Sequence, residues 1–208
     1  MKKKAIIISI KSYKLSSKEE KLLTKGKPWG LILFKRNIKT FEQVKKLTNK
    51  IRKLSKNALF PIMIDEEGLM VSRLSKIINH DVSQKLFGDI YESHPKFCLA
   101  LYKHYINSLC KLLRDIGINI NTVPVLDVLI KNTNKIIGSR SFSSNPNIVK
   151  LLGNTCIRQY HLNKVATTIK HIPGHGCASS DSHLKLPKVK LDYKNLNKKH
   201  FTFLRSLY

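Results

Sequence analysis

Val165-Ala-Thr-Thr-Ile-Lys-His-Ile-Pro-Gly-His-Gly176, with Asp181-Ser-His183 a few positions on, decides the reading of this 208-residue chain. The apolar run from Val165 to Ile169 reads as a buried strand. It ends in Lys170 and His171, and α/β proteins place their chemistry where such strands end. Between Lys170 and His183 the sequence gathers His171, His175 and His183 with one ammonium, the Asp181 carboxylate and two loop-permissive glycines.

Working outward, apolar runs and longer helical patterns alternate. Strands are expected at Ala5–Ile10, Trp29–Phe34, Leu59–Ile64 and within 118–128. Ser16 and Thr40 are placed to cap helices, the second carrying the stripe Phe41, Val44, Leu47, Ile51 and Leu54. A long helix from Pro95 to Ile116 stops at Gly117, and another runs from Asn145-Pro146 to about His161. Asp192 is read as the cap of a final helix. The stretch Ser72–Ser93 has weak periodicity and reads as a long loop with short helical turns.

Five β-then-α units without a tandem repeat imply a parallel sheet with right-handed crossovers. Polar residues recur at the strand ends: Arg36-Asn37, Asp65, Asp127 and Lys170-His171. This layout suits the C-terminal rim of a barrel. The expected fold is α/β, an incomplete (β/α)8 TIM-type barrel comprising about the first five βα units, as one domain over 1–208. A doubly wound sheet is the runner-up; it calls for a Gly-rich loop after the first strand, and Lys11-Ser-Tyr-Lys14 is not one.

Composition narrows the function classes. No segment approaches the roughly 18 apolar residues of a membrane helix. The apolar stretch of Met1–Ile10 is shorter than the about 7–15 residues of a secretory core. No membrane association and a cytoplasmic location are expected. Cys98, Cys110, Cys156 and Cys177 are widely spaced, fitting reduced thiols rather than a disulfide scaffold. The net charge of +26 favours anionic partners in principle. Its lysines are dispersed among Ile and Asn, no recognition signature accompanies them, and AT-biased codons give the same composition, so no specific nucleic acid is expected.

Residue by residue, Asp65 follows a strand, where a carboxylate accepts hydrogen bonds from hydroxyl groups or caps a loop. Arg73 and Arg140 offer planar forks suited to oxygen ligands, although isolated arginines in so basic a chain read as solvated charges. His175, between glycines, shapes a turn. Asp181 and His183 form the sharpest pair. A carboxylate two residues from an imidazole fixes its tautomer and stabilises its charged form, giving a general acid/base near neutral pH. A solvated polar loop is the competing reading. The spacing matches neither His-Glu-x-x-His nor a Cys/His cluster, so no metal and no cofactor are expected.

The blocks LILFKRNI (31–38), MIDEEG with VSRL (63–74), GININTVPVLDV (117–128), IGSRSFSSNP (137–146) and KHIPGHG with DSH (170–183) stand in the order seen in one family. They resemble bacterial cytosolic β-N-acetylglucosaminidases (β-hexosaminidases) of glycoside hydrolase family 3. The resemblance implies a retaining glycosidase removing terminal N-acetylglucosamine from muropeptide-like cell-wall fragments. It implies substrate binding by Asp65, Arg73, Arg140, Lys170 and His171. It makes His183 the general acid/base and Asp181 its partner, in place of the second carboxylate of most retaining glycosidases. Two positions depart from the pattern: Leu69-Met70 replaces a second Gly and an Arg, and Ser139 replaces an acidic residue. The family's nucleophile is an Asp on a later loop, so no residue of this chain is expected to take that role. The expectations are then an impaired glycosidase, half of an enzyme completed by a C-terminal polypeptide, or an inactive sugar- or polyanion-binding protein.

Overall fold

The computed structural model describes residues 3–79, 81–130, 136–172, 174–175, 186, 188 and 194. Among them, five parallel strands form one sheet: β1 (Lys4–Ser9), β2 (Pro28–Leu33), β3 (Ile62–Ile64), β4 (Ile120–Asn121) and β5 (Ala166–Thr167). Each strand pairs with its successor in the chain, and the order never reverses. A doubly wound sheet reverses its strand order at a switch point, so this order selects the barrel reading. The barrel is partial: β1 pairs with β2 alone among the described residues, and its Ile6 and Ile7 are each nearly half exposed.

The register aligns the strand ends. Ser9 stands beside Ile32, Leu33 beside Ile64, Ile64 beside Asn121, and Asn121 beside Thr167. The residue after each strand therefore emerges at one level. β4 and β5 are shorter than the apolar runs suggest, although Val125 and Lys170 form one further parallel bridge beyond them.

The helices are α1 (Ser17–Lys21), α2 (Phe41–Ser55), α3 (Gln84–Ser93), α4 (Pro95–Asp115) and α5 (Pro146–Leu162); α1 and α2 start behind the caps Ser16 and Thr40, and α4 and α5 carry Pro in the first turn. Ser16 Oγ accepts from Glu19 N at 3.4 Å, and the Glu19 carboxylate accepts from Ser16 N at 2.7 Å, closing a capping box. Thr40 Oγ1 accepts from Gln43 N at 3.2 Å. Val44, Leu47 and Ile51 of the expected α2 stripe are buried, with Phe41 and Leu54 packed at its margins. α4 turns Cys98, Tyr102, Ile106, Leu109 and Leu113 into the core, where α5 meets them with Val149, Leu152 and Cys156. No described helix is long and apolar enough to cross a membrane. The helix expected from Asp192 lies outside the described residues.

One element departs from expectation. The C-terminal half of the stretch read as a loop is α3, whose buried face presents Gln84, Phe87 and Gly88 rather than an aliphatic stripe. Gln84 is a polar pin: Nε2 donates to Val125 O at 2.9 Å and Arg140 O at 2.7 Å, while Oε1 accepts from Val125 N at 3.1 Å. Gly88 lets α3 lie against the backbone at Phe142, where an added Cβ would come within 1.8 Å of the carbonyl oxygen. Ser83 caps α3, its Oγ accepting from Leu86 N at 3.2 Å. Ser83→Ala is expected to cost about 1 kcal/mol, read as a lower denaturation midpoint in urea at unchanged slope.

Candidate active site

The aligned strand ends deliver Asp65 after β3, Thr122 and Asp127 after β4, and Lys170 and His171 after β5 to one rim. Asn121, fully buried in β4, clamps the acidic loop beside it. Its Oδ1 accepts from Glu66 N at 2.9 Å, and its Nδ2 donates to Glu66 O at 2.8 Å and Tyr160 OH at 2.9 Å. Glu66 Oε2 accepts from Arg73 N and Leu74 N, each at 2.8 Å, and folds the following loop back over the sheet. Between these anchors the chain reverses through Gly68 and Val71, with Glu67 N donating to Val71 O at 2.9 Å. Gly68 takes φ +132°, a conformation side chains disfavour. Leu69 needs no left-handed backbone, so the missing second glycine leaves the turn intact, and Leu69 and Met70 point outward.

Five ionic side chains then alternate in sign. Arg73 Nη2 lies 3.3 Å from Asp65 Oδ2, and Lys170 Nζ lies 3.1 Å from Asp65 Oδ1. Lys170 also contacts Glu67 Oε1 and donates to Thr122 Oγ1 at 3.0 Å. Glu67 receives the Arg140 fork, Nε on Oε2 at 2.7 Å and Nη2 on Oε1 at 3.0 Å, a two-point geometry an ammonium does not offer. Ser139, in the short turn Gly138–Arg140, does not prevent this fork. The Thr122 hydroxyl donates to Asp65. Beside the chain of charges, His171 Nδ1 lies 2.6 Å from Asp127 Oδ2, and His171 Nε2 lies 3.5 Å from Arg140 Nη2. The Lys170–His171 peptide bond is cis. The His175 ring stands edge-on to His171, with centroids 5.7 Å apart.

The layering has a direction. The side chains of Glu67 and Asp127 are 3% and 0% exposed, whereas those of Arg73 and His171 are 28% and 32% exposed. Glu67 and Asp127 form a floor, Lys170, Arg140 and Asp65 lie at middle depth, and Arg73 and His171 reach furthest toward solvent. Such a surface offers many hydrogen bonds to a polyhydroxylated ligand while keeping every buried charge paired.

Burial alone would raise the Asp65 pKa. The Lys170 ammonium, the Thr122 and Lys170 hydrogen bonds and the Arg73 guanidinium outweigh burial and hold the carboxyl below its usual 3.8. A carboxyl depressed in the folded state stabilises the fold above its unfolded pKa, and that contribution is lost as pH falls through the lowered value. Asp65→Asn is therefore expected to flatten the acid limb of stability. Urea unfolding near neutral pH and again below about pH 4 checks this, with the wild type losing more than the variant.

All five residues expected to bind substrate lie together on this rim. Arg73 and Arg140 are not isolated solvated charges, because each has a carboxylate partner. Asp181 and His183 lie outside the described residues, as does Cys177. Cys98, Cys110 and Cys156 are buried free thiols, and burial pushes Cys110 and Cys156 up to about 12. Sequence reasoning missed Glu67, Thr122 and Asp127 as site residues. Asp127 had carried a signal as a polar residue at a strand end; Glu67 and Thr122 stand next to residues that drew attention first.

Proteins of known structure share this fold. Native NagZ from Neisseria gonorrhoeae superimposes with a TM-score of 0.91 at 28% identity, over 99% of this chain and 59% of that one. The same protein in complex with N-trifluoroacetyl-D-glucosamine gives 0.89 at 28% identity, over 98% and 60%. A β-hexosaminidase A of Pseudoalteromonas piscicida is 34% identical over 175 residues, 81% of this chain and 28% of that protein. A β-hexosaminidase of Xanthomonas oryzae pv. oryzae is 30% identical over 179 residues, 86% of this chain and 53% of that protein. The chain thus spans about half or less of the length of these curated relatives. Residues 2–207 match the Glycosyl hydrolase family 3 N terminal domain, nearly the whole sequence, and the chain belongs to that family.

Proposed function

We propose that this chain carries the sugar-binding rim and the acid/base dyad of a retaining β-N-acetylhexosaminidase acting on terminal N-acetylglucosamine of cell-wall muropeptide fragments in the cytoplasm. The observation that carries the proposal is the charge-alternating chain Arg73–Asp65–Lys170–Glu67–Arg140 at the strand ends, a polar surface anchored on the buried Glu67 carboxylate. Similar proteins support the sugar: β-hexosaminidases among the relatives, and a NagZ solved in complex with N-trifluoroacetyl-D-glucosamine.

In this reading Asp65 accepts from sugar hydroxyl groups, Lys170, Arg73 and Arg140 donate to sugar oxygens, and His171 adds a ring nitrogen. His183, oriented by Asp181, protonates the glycosidic oxygen as the C1–O bond breaks. A carboxylate nucleophile forms a bond to C1, and neutral His183 then takes a proton from the water that displaces it. No residue of this chain is proposed as that nucleophile. No metal or cofactor enters the scheme.

Calorimetry with N-acetylglucosamine tests the binding step on this chain alone. Heat that disappears in Lys170→Met supports the reading; equal heat in both overturns the placement of the sugar. Hydrolysis of a chromogenic N-acetyl-β-glucosaminide tests the chemistry, and turnover by this chain that vanishes in His183→Ala would place the nucleophile within it. The net charge of +26 favours a second reading, a polyanion-binding protein. Titration with RNA at two salt concentrations separates the two: a steep salt slope and no heat with sugar favour the polyanion.

A further inference from the structure

We propose that Asp127 is a positioning residue that holds His171 in the tautomer protonated at Nδ1, so that Nε2 faces the rim as a hydrogen-bond acceptor. The assignment of a sugar to this rim is the proposed reading on which the ligand part of the inference rests.

Asp127 is fully buried, and one of its oxygens accepts from two atoms of the same residue. Oδ2 lies 2.6 Å from His171 Nδ1 and 3.3 Å from His171 N. An ionised carboxylate only accepts, so the close ring nitrogen carries the proton. Two bonds to one oxygen fix both the backbone and the plane of the ring. At the other end of the ring, Nε2 lies 3.5 Å from Arg140 Nη2. A guanidinium only donates, and a second ring proton would set N–H against N–H between two cations. Arg140 does not swing away to relieve that opposition, because both arms of its fork are taken by Glu67, whose side chain is 3% exposed. The two buried carboxylates thus act in concert: Asp127 sets which nitrogen is bare, and Glu67 fixes the cation that keeps it bare.

The consequence is specificity. Lys170, Arg73 and Arg140 present donors to the rim, and Asp65 presents an acceptor already shared with Lys170 and Thr122. Nε2 carries one lone pair, 3.5 Å from Arg140 Nη2, and a ligand donor that takes the place of this long contact meets a neutral acceptor on a side chain about a third exposed. The chemical group it reads is a donor on the ligand, a sugar hydroxyl or amide hydrogen, and it rejects a carbonyl or ether oxygen at the same place.

The test is long-range ¹H–¹⁵N correlation spectroscopy of the His171 ring in the 208-residue chain, with Asp127→Ala and Asp127→Asn alongside. The wild type is expected to show Nδ1 protonated and Nε2 bare. Asp127→Ala is expected to mix the two tautomers. Asp127→Asn, whose amide oxygen still accepts, is expected to restore the Nδ1–H form and gives the readout should the alanine variant fail to fold. A protonated Nε2 in the wild type, or an Asn variant with the opposite tautomer, overturns the proposal. Calorimetry with N-acetylglucosamine is expected to show about tenfold weaker binding in Asp127→Ala, the worth of one hydrogen bond, with recovery in Asp127→Asn. If the spectra agree and the sugar gives no heat with the wild type, the sugar reading falls and the role of Asp127 stands.

Discussion

Glu67→Ala is expected to destabilise the fold by about 3–5 kcal/mol and to abolish measurable sugar binding. The carboxylate is nearly inaccessible and serves two cations at once, the Arg140 fork and the Lys170 ammonium. Removing it leaves two partly buried cations sharing what remains, with Asp65 already committed to Lys170 and Arg73. Against a total stability of about 5–15 kcal/mol for a domain this is a large fraction. Glu67→Gln keeps the shape and one acceptor, so it should retain more of the fold than alanine while losing the two-point pairing. Urea denaturation measures the first effect and calorimetry with N-acetylglucosamine the second. Wild-type stability in the alanine variant would mean that the ion network contributes no net energy. That outcome is known for buried pairs replaced as a unit but not for pairs broken on one side.

Gly68→Ala is expected to cost about 2–4 kcal/mol for two independent reasons. Its φ of +132° is poorly tolerated by any side chain. An added Cβ would also meet the Val82 carbonyl oxygen at 2.1 Å, and that oxygen is held in place by accepting from Leu69 N at 2.9 Å. Relief requires moving either the segment that leads into α3 or the turn that carries Glu67. The substitution should therefore lower both the unfolding midpoint and sugar affinity, although residue 68 itself offers no side chain to a ligand. A variant that loses stability but keeps full affinity would show that the turn deforms away from Glu67.

The order of elements was readable because burial and period agree there. α2, α4 and α5 carry apolar residues at helical spacing behind Thr40, Pro95 and Asn145-Pro146, and their boundaries fall within a residue or so of expectation. α3 was not readable, because its buried face is built from Gln84 and Gly88. One is chosen for hydrogen bonds to Val125 and Arg140 and the other for lack of volume, and neither leaves a hydrophobic period. The site shows the same division. Lys170, His171 and Asp65 stand directly after strands, where position alone marks them. Asp127 lies six residues past Asn121, at the far end of an apolar run, and its partnership with His171 spans 44 positions, a separation no local pattern encodes. Glu67 stood in plain view in the acidic loop, yet which of Asp65, Glu66 and Glu67 faces the cations depends on the turn at Gly68 and the clamp from Asn121. Glu66, its neighbour, points the other way and binds the backbone of Arg73 and Leu74.

β1, at one end of the sheet, has a neighbour on one side only among the described residues, and past the register shift between Lys4 and Ile7 its backbone groups alternate in direction. Half of its amide hydrogens face β2 and should be traded for deuterium slowly, at a rate set by opening of the sheet; the other half face away and should be traded almost at once. Residues 4–9 would thus record, as an alternation of fast and slow sites, which side of the strand is covered when another polypeptide lies against it.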